Sequence, residues 1–313
     1  MLTPVPRVLI DCDPGLDDVV AIAVASAHTS VVGITAVAGN APLHHTERNA
    51  RIACDLFGLD TVAVHSGAER PLVAPPRDAT HVHGKTGLDG PPQREPSRPP
   101  DSRDAIEFLV ESIRSEEGLW LIPTGPLTNV ALAIRAARDL PGRLAGISFM
   151  GGSTTHGNVN ATAEYNVWAD PEAAAAVLAH GHETLIRMCG LNLTHQVRAD
   201  PAFVDRLLTS NSEAAQFSGA LIHHYRNYHA ILVGDPTAGC PLHDPCAVLA
   251  VTHPDLFAFE RRHVAVECSG SHTRGMTVVD GRGYDDPKAR NVSIAMAIDA
   301  DAALALIAAA LTA

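Results

Sequence analysis

The chain has no long apolar run. Its most apolar stretch, Val19 to Ala27, is far shorter than the roughly 20 residues that cross a bilayer, so no membrane span is expected. Aromatic residues are scarce at 4%, which leaves Ala, Val, Leu and Ile to build the core. Basic residues are outnumbered, 23 Lys and Arg against 35 Asp and Glu, for a formal net charge of −12. Without a basic stripe to meet phosphates, nucleic acid and anionic membrane surfaces are not expected partners. No CxxC joins the cysteines at 12, 54, 189, 240, 246 and 268. That argues against a zinc ribbon or a thioredoxin-type pair, and unclustered thiols fit a reducing cytoplasm. The start of the chain reaches the acidic residues Asp11 and Asp13 after a few apolar positions, unlike a secretory leader.

What is present is a globular pattern. The 313 residues are 46% hydrophobic, enough for one large α/β domain over residues 1–313. Short β-branched runs alternate with Ala-rich helical patterns, which predicts a Rossmann-like, mostly parallel central sheet flanked by helices. Strands are expected at Arg7–Asp11, Val31–Val37, Thr61–His65, Leu119–Ile122, Gly146–Met150 and Thr184–Cys189. Helices are expected over 17–28, 46–57, 127–138, 170–180, most of 200–231, from 244 onward, and 299–311. The stretch Pro71 to Pro100 is rich in Pro, Gly and charge and has no apolar period. It reads as a long loop bordering a site.

Ligands of such sheets gather beyond the carboxyl ends of the strands. Four predicted strand ends carry polar residues there: Asp11-Cys-Asp-Pro-Gly-Leu-Asp-Asp18, Gly39-Asn40, Thr124, and Gly151-Gly152 followed by Asn158. Four carboxylates within eight residues repel one another unless something positive sits among them. A helix N-terminus offsets part of that cost, and a bound cation offsets more. Oxygen ligands suit Ca²⁺ or Mg²⁺. A solvated acidic turn with one helix cap is the other reading. Far downstream, His243-Asp244-Pro offers an imidazole able to move a proton, although Asp244 is also placed for a plain helix cap. Asn158, Glu164 and Asn166 offer hydrogen bonds suited to vicinal hydroxyls, or ordinary turn chemistry. Gly84-Lys85-Thr86 looks like the end of a phosphate-binding loop, but Ala79 stands where that loop needs Gly.

In order along the chain, these residues resemble the inosine-uridine-preferring nucleoside hydrolases. The resemblance runs through Asp11–Asp18, Ala38-Gly-Asn40, His83-Gly-Lys-Thr-Gly-Leu88, Pro123-Thr-Gly-Pro-Leu-Thr-Asn129 and Phe149-Met-Gly-Gly152. It continues through Gly157-Asn158, Ala163-Glu-Tyr-Asn166, Ala169-Asp-Pro-Glu-Ala173 and His243-Asp-Pro-Cys246. The resemblance implies hydrolysis of the N-glycosidic bond of ribonucleosides, releasing ribose and a purine or pyrimidine base. It implies Ca²⁺ held by Asp13, Asp18, the Thr124 carbonyl and Asp244, and a cation-bound water deprotonated by Asp13. Asp17, Asn40, Met150, Asn158, Glu164 and Asn166 would hold the sugar, with Asp11 supporting the cluster from behind. His243 would protonate the leaving base. His83, and Tyr228 on the helix that also carries His223, His224, Tyr225 and His229, would border the base. Tyr165 stands where the family often has Phe. A single displacement by water, with inversion at the anomeric carbon, is expected. So is a homodimer or homotetramer. A Mg²⁺-dependent phosphohydrolase and a non-catalytic ribose- or nucleoside-binding protein are the competing readings.

Overall fold

The computed structural model describes residues 5–101, 103–282 and 286–313. Residues 1–4 of the leader reading lie outside the described residues. The strands are β1 (Arg7–Cys12), β2 (Ser30–Ala36), β3 (Val64–Ser66), β4 (Trp120–Pro123), β5 (Gly146–Met150), β6 (Ile186–Cys189), β7 (Arg198–Ala199), β8 (Cys240–Pro241), β9 (Phe257–Arg262), β10 (Val264–Val266), β11 (Thr277–Val279) and β12 (Val292–Ile298). Eight of them form one sheet in the order β3-β2-β1-β4-β5-β6-β12-β9. All neighbours are parallel except β9, which pairs antiparallel with β12.

Alternation along β1 explains its place. Val8, Ile10 and Cys12 belong to one apolar cluster and Leu9 to the other, so the strand is covered on both faces. Asp11 falls on the Leu9 face, where it meets polar partners instead of the core. On the first face the Leu16–His28 helix packs against the Pro245–Thr252 and Ala300–Thr312 helices. On the second, the Ala105–Ser115, Thr128–Ala136 and Pro171–Leu178 helices pack together.

From β1 the chain winds outward through β2 and β3, then crosses back to β4 and runs the other way. The crevice between β1 and β4 is therefore a topological switch point, where an open α/β sheet leaves room for a ligand. Both the Asp11–Asp18 turn and Thr124 emerge at that crevice.

The predicted elements are present with ends shifted by at most three residues. The Ala105–Ser115 helix, the β9–β12 edge and the two short antiparallel ribbons, β7 with β8 and β10 with β11, were not among the predicted elements. The Pro71–Pro100 segment holds one short helix, Thr80–His83. The rest is strapped down by polar side chains. Arg48 bonds Glu95, Asp55 holds Ser97, and Arg98 reaches the carbonyls of Leu59 and Val62.

Candidate active site

A strand that ends on buried carboxylates must give each one a partner. Asp11 is fully buried. Its Oδ1 accepts the Thr35 hydroxyl at 2.6 Å and the Asn129 amide at 2.7 Å, while Oδ2 has no partner. Burial raises its pKa to about 7, against the pull of those two donors.

Asp13, two residues on, is equally buried. Its Oδ2 accepts the Asn40 backbone N–H at 2.7 Å, and Oδ1 has no partner. Two glycines make room for this carboxylate. A Cβ on Gly39 would lie 2.0 Å from Asp13 Oδ2, and one on Gly125 would lie 2.5 Å from Oδ1. Burial first, and then the Asp18 charge, hold the Asp13 pKa well above the usual carboxylate range.

The helix that follows starts at Leu16. Asp18, at its third position, accepts the Gly15 N–H at 3.0 Å and the Asn40 side-chain amide at 3.1 Å through Oδ2. Its Oδ1 accepts the Thr124 hydroxyl at 2.7 Å, which ties the start of this helix to the end of β4 across the crevice. Asp17 turns the other way and lines the cleft. Its pKa is raised to about 7, by burial and then by Asp18. Asp244 sits at the N-cap position of the Pro245–Thr252 helix, yet its side chain makes no capping bond. Asp170, by contrast, caps its own helix by accepting the Ala173 N–H. The plain capping role open to Asp244 in the sequence is thus not the one it fills. Its carboxylate meets those of Asp17 and Asp18 instead, with one oxygen of each lying within 4.8 Å of the others. Burial, followed by the charges of Asp17, Asp18 and Asp13, pushes Asp244 far up.

These carboxylates fit a cation. All are at most 7% exposed, one Asp13 oxygen lacks any donor, and no Lys or Arg lines the cleft among the described residues. No Lys or Arg side chain of the described residues lines the cleft to offset the repulsion, and an all-oxygen donor set suits a hard divalent ion. The converging trio is Asp17, Asp18 and Asp244. Asp13 lies deeper, against the Asn40 turn.

The cleft above has a volume of about 570 Å³. Thr124, Met150 and Asn166 form its floor beside the carboxylates. The Asn166 amide donates to the Thr124 carbonyl at 2.7 Å and to the Met150 carbonyl at 3.2 Å. Glu164 caps the short Tyr165–Ala169 helix. Its oxygens accept the N–H groups of Gly152, Asn166 and Val167, and burial raises its pKa to about 7. Asn158 stands exposed on the rim. The Tyr165 hydroxyl, which a Phe would lack, donates to the Gly39 carbonyl at 2.7 Å.

Much of the rest of the cleft wall is built from rings. His83 ends the Thr80–His83 helix, and its Nδ1 accepts the Leu16 N–H at 3.2 Å. Burial lowers its pKa to about 3, with smaller contributions from His81 and His224. His243 is 8% exposed. Its Nδ1 lies 2.7 Å from the Thr194 hydroxyl and its Nε2 lies 3.2 Å from the Tyr225 hydroxyl. Burial, and then neighbouring His195, lower its pKa to about 3. Tyr225, Tyr228, His229 and His195 complete this wall.

The structure thus brings Asp17, Asn40, His83, Thr124, Met150, Asn158, Glu164, Asn166, Tyr228, His243 and Asp244 to one cleft, with Asp11, Asp13 and Asp18 buried behind it. Sequence reasoning named Tyr225 only among the rings of its helix and Trp168 only as a neighbour of Asn166, and it did not single out Thr194 or His195. Tyr225 could have been found by its spacing, because it lies one helical turn from Tyr228 and on the same face. Lys85 does not line the cleft, so the Gly84-Lys85-Thr86 run makes no phosphate cradle there.

Comparison with known proteins bears on the chain as a whole. Residues 8–305 match the profile of a family described as inosine-uridine preferring nucleoside hydrolase. The pyrimidine-specific ribonucleoside hydrolase RihA of Photobacterium profundum is 39% identical over 279 residues, 87% of this chain and 88% of that protein. The inosine-uridine preferring nucleoside hydrolase of Leishmania major is 37% identical over 302 residues, 94% of each chain. Among solved structures, the purine-preferring ribonucleoside hydrolase from Gardnerella vaginalis superposes with a TM-score of 0.91 at 28% identity, covering 98% of both chains.

Proposed function

The chain belongs to the inosine-uridine preferring nucleoside hydrolase family, and from that premise we propose that its cleft uses Ca²⁺ and Asp13 to hydrolyse ribonucleosides to ribose and free base. The observation that carries this reading is the buried, uncompensated carboxylate group at the β1–β4 crevice, facing a cleft that ends in imidazole and phenol. Asp13, Asp18, Asp244 and the Thr124 carbonyl are the proposed ligands of the ion. When bound there, a divalent cation supplies Lewis acidity to a water molecule and positions for a vicinal diol.

The remaining steps belong to the chain. Asp13 keeps one oxygen free of donors, and that oxygen is the proposed acceptor for the proton of the attacking water. Asp17 and Asn40 line the cleft beside it and, with Asn158, Glu164, Asn166 and Met150, hold the sugar. Fixing the anomeric carbon near the water converts a bimolecular encounter into a positioned one. As the C–N bond breaks, its electron pair moves onto the base and the sugar gains oxocarbenium character, which the buried carboxylates stabilise. The departing nitrogen takes a proton from the His243–Tyr225 pair, whose contact at 3.2 Å lies at the far wall. His83 and Tyr228 border the base. One displacement by water inverts the anomeric centre.

The whole chain is read as a single catalytic domain, cytoplasmic, and assembled as a homodimer or homotetramer. Phosphoester hydrolysis is the weaker reading, since no Lys or Arg lines the cleft among the described residues to meet a phosphate. Incubating the purified protein with calcium and, separately, uridine, inosine and p-nitrophenyl phosphate tests the proposal. Release of α-ribose from a nucleoside, lost on chelation, is expected. Turnover of the phosphate ester alone, or of neither class, overturns the reading.

A further inference from the structure

His243 has two ring nitrogens, and which of them carries the proton decides what the ring can offer the cleft. The residue that settles this lies outside the cleft. Thr194 ends the short Leu191–Thr194 helix, is fully buried, and meets His243 Nδ1 through its hydroxyl at 2.7 Å. Among the described residues, that ring nitrogen is the hydroxyl's one hydrogen-bond partner.

A buried O–H left without an acceptor is costly. If His243 Nδ1 carried the proton, Thr194 would accept it and its own hydrogen would have nowhere to go. Donation from Thr194 to Nδ1 satisfies both groups and places the imidazole proton on Nε2. That N–H then points at the Tyr225 oxygen, 3.2 Å away. The Tyr225 hydroxyl hydrogen is thereby released toward the cleft, which Tyr225 lines.

We propose that Thr194 is a positioning residue for leaving-group protonation: it fixes the neutral His243 ring with its N–H on Nε2, so that the ring donates to the Tyr225 oxygen while the Tyr225 hydroxyl gives its proton to the base, and the phenolate held by that N–H regains a proton from water as the products leave. The proposal rests on the reading of the His243–Tyr225 pair as the proton source. It gives a buried threonine a role through another residue, not through substrate.

The test compares Thr194→Val, Thr194→Ser and His243→Ala on uridine, inosine and p-nitrophenyl β-ribofuranoside, whose phenolate leaves without a proton. Thr194→Val keeps the shape and removes the hydroxyl. Its kcat/KM is expected to fall about tenfold on both nucleosides, the scale of one lost hydrogen bond, and to hold within about twofold on the nitrophenyl riboside. Thr194→Ser restores the nucleoside rates. Equal losses on all three substrates, or none on the nucleosides, overturn the role of Thr194. His243→Ala separates the two claims. If it also loses equally on all substrates, the proton-source reading falls. If it discriminates and Thr194→Val does not, Thr194 alone falls. A nitrogen-15 spectrum of the wild-type imidazoles gives an independent check, and finding the His243 proton on Nδ1 overturns the proposal even if the valine variant does not fold.

Discussion

At one end of the cleft Asp11, Asp13, Asp17 and Asp18 come from a single stretch of eight residues, and their contacts are short bonds to backbone, Thr and Asn. At the other end His83, His195, Tyr225, Tyr228, His229 and His243 come from four separate segments and meet as rings. The first end inherits its geometry from a strand, a turn and the first turn of a helix, so folding the sheet positions it. The second exists only once the Glu213–Val233 helix has been laid across the cleft. That helix ends with Ile231, Leu232 and Val233 at 81%, 65% and 53% exposure. A rigid electrostatic end thus faces a looser end made of side chains that can be exchanged without disturbing the sheet. On the proposed reading, activation of the attacking water belongs to the first, and protonation and choice of the leaving base to the second.

The largest effect should come from breaking the rigid end. Asp13→Asn keeps the shape but removes both the proton acceptor and a cation ligand. Turnover of every nucleoside, and of the nitrophenyl riboside too, should drop by about 10⁴-fold or more. This is the reverse of the substrate-selective loss expected at the ring end. A variant that still cleaves the nitrophenyl substrate at the wild-type rate removes Asp13 from the reaction.

Next in size is the stability held by the cation. Asp11 and Asp17 are raised from 3.8 to about 7, and burial raises Asp13 and Asp244 as well. The folded, cation-free protein therefore holds more protons than the unfolded chain between about pH 4 and 7. That contribution to stability is fully present below the unfolded pKa and is lost as pH rises through the folded one. Calcium replaces the lost protons, and at a thousandfold excess over its Kd it would add about 4 kcal/mol. Melting curves at pH 5 and pH 8, with calcium and with chelator, should show the larger calcium shift at pH 8. A larger shift at pH 5 contradicts the carboxylate assignment.

Much of this contrast was legible in the chain. The rigid end was readable because its residues are neighbours: a buried strand, Pro-Gly in the turn and acidic residues at a helix start fix the partners locally. Thr124 and Asp244 were readable through the family resemblance, since nothing local says that the Asp244 side chain leaves its cap position unused. At the ring end the sequence favoured Tyr228, but the hydroxyl beside His243 is that of Tyr225. Spacing puts both tyrosines on one helix face, but which of them reaches His243 depends on how the helix crosses the sheet, a tertiary fact. Thr194 looked like any helical threonine for the same reason. The 90–100 tract looked unstructured because its anchors are arginines and carboxylates far apart in the chain, with no apolar period to reveal them.

A subtler break at the rigid end is Gly39→Ala. The added methyl would fall 2.0 Å from Asp13 Oδ2 and 2.9 Å from Pro126 Cδ. The carboxylate must move, and a misplacement near 1 Å costs roughly 10²-fold in rate. Overpacking would lower stability by roughly 1–3 kcal/mol as well. Here kcat should fall while KM changes little, because the base-facing wall is untouched. Unchanged kcat would mean that the Asp13 cradle tolerates more slack than its contacts suggest.

The smallest effect belongs to the strap that joins the two ends. Arg94 bonds Glu213 at 2.8 Å at the start of the Glu213–Val233 helix, and Arg48 bonds Glu95 at 2.9 Å. Glu213 and Glu95 are 80% and 83% exposed, so water screens both pairs and each adds little on its own. Arg94→Ala should lower Tm by no more than about 2 °C. Its kinetic trace should appear in KM for the nucleosides, within about twofold, and not in kcat, since the strap leads to His83 and the helix of Tyr225 and leaves the carboxylates alone. A fall in kcat as large as that of Gly39→Ala would show that the two ends move as one body, and the division between a fixed end and a looser one would have to be given up.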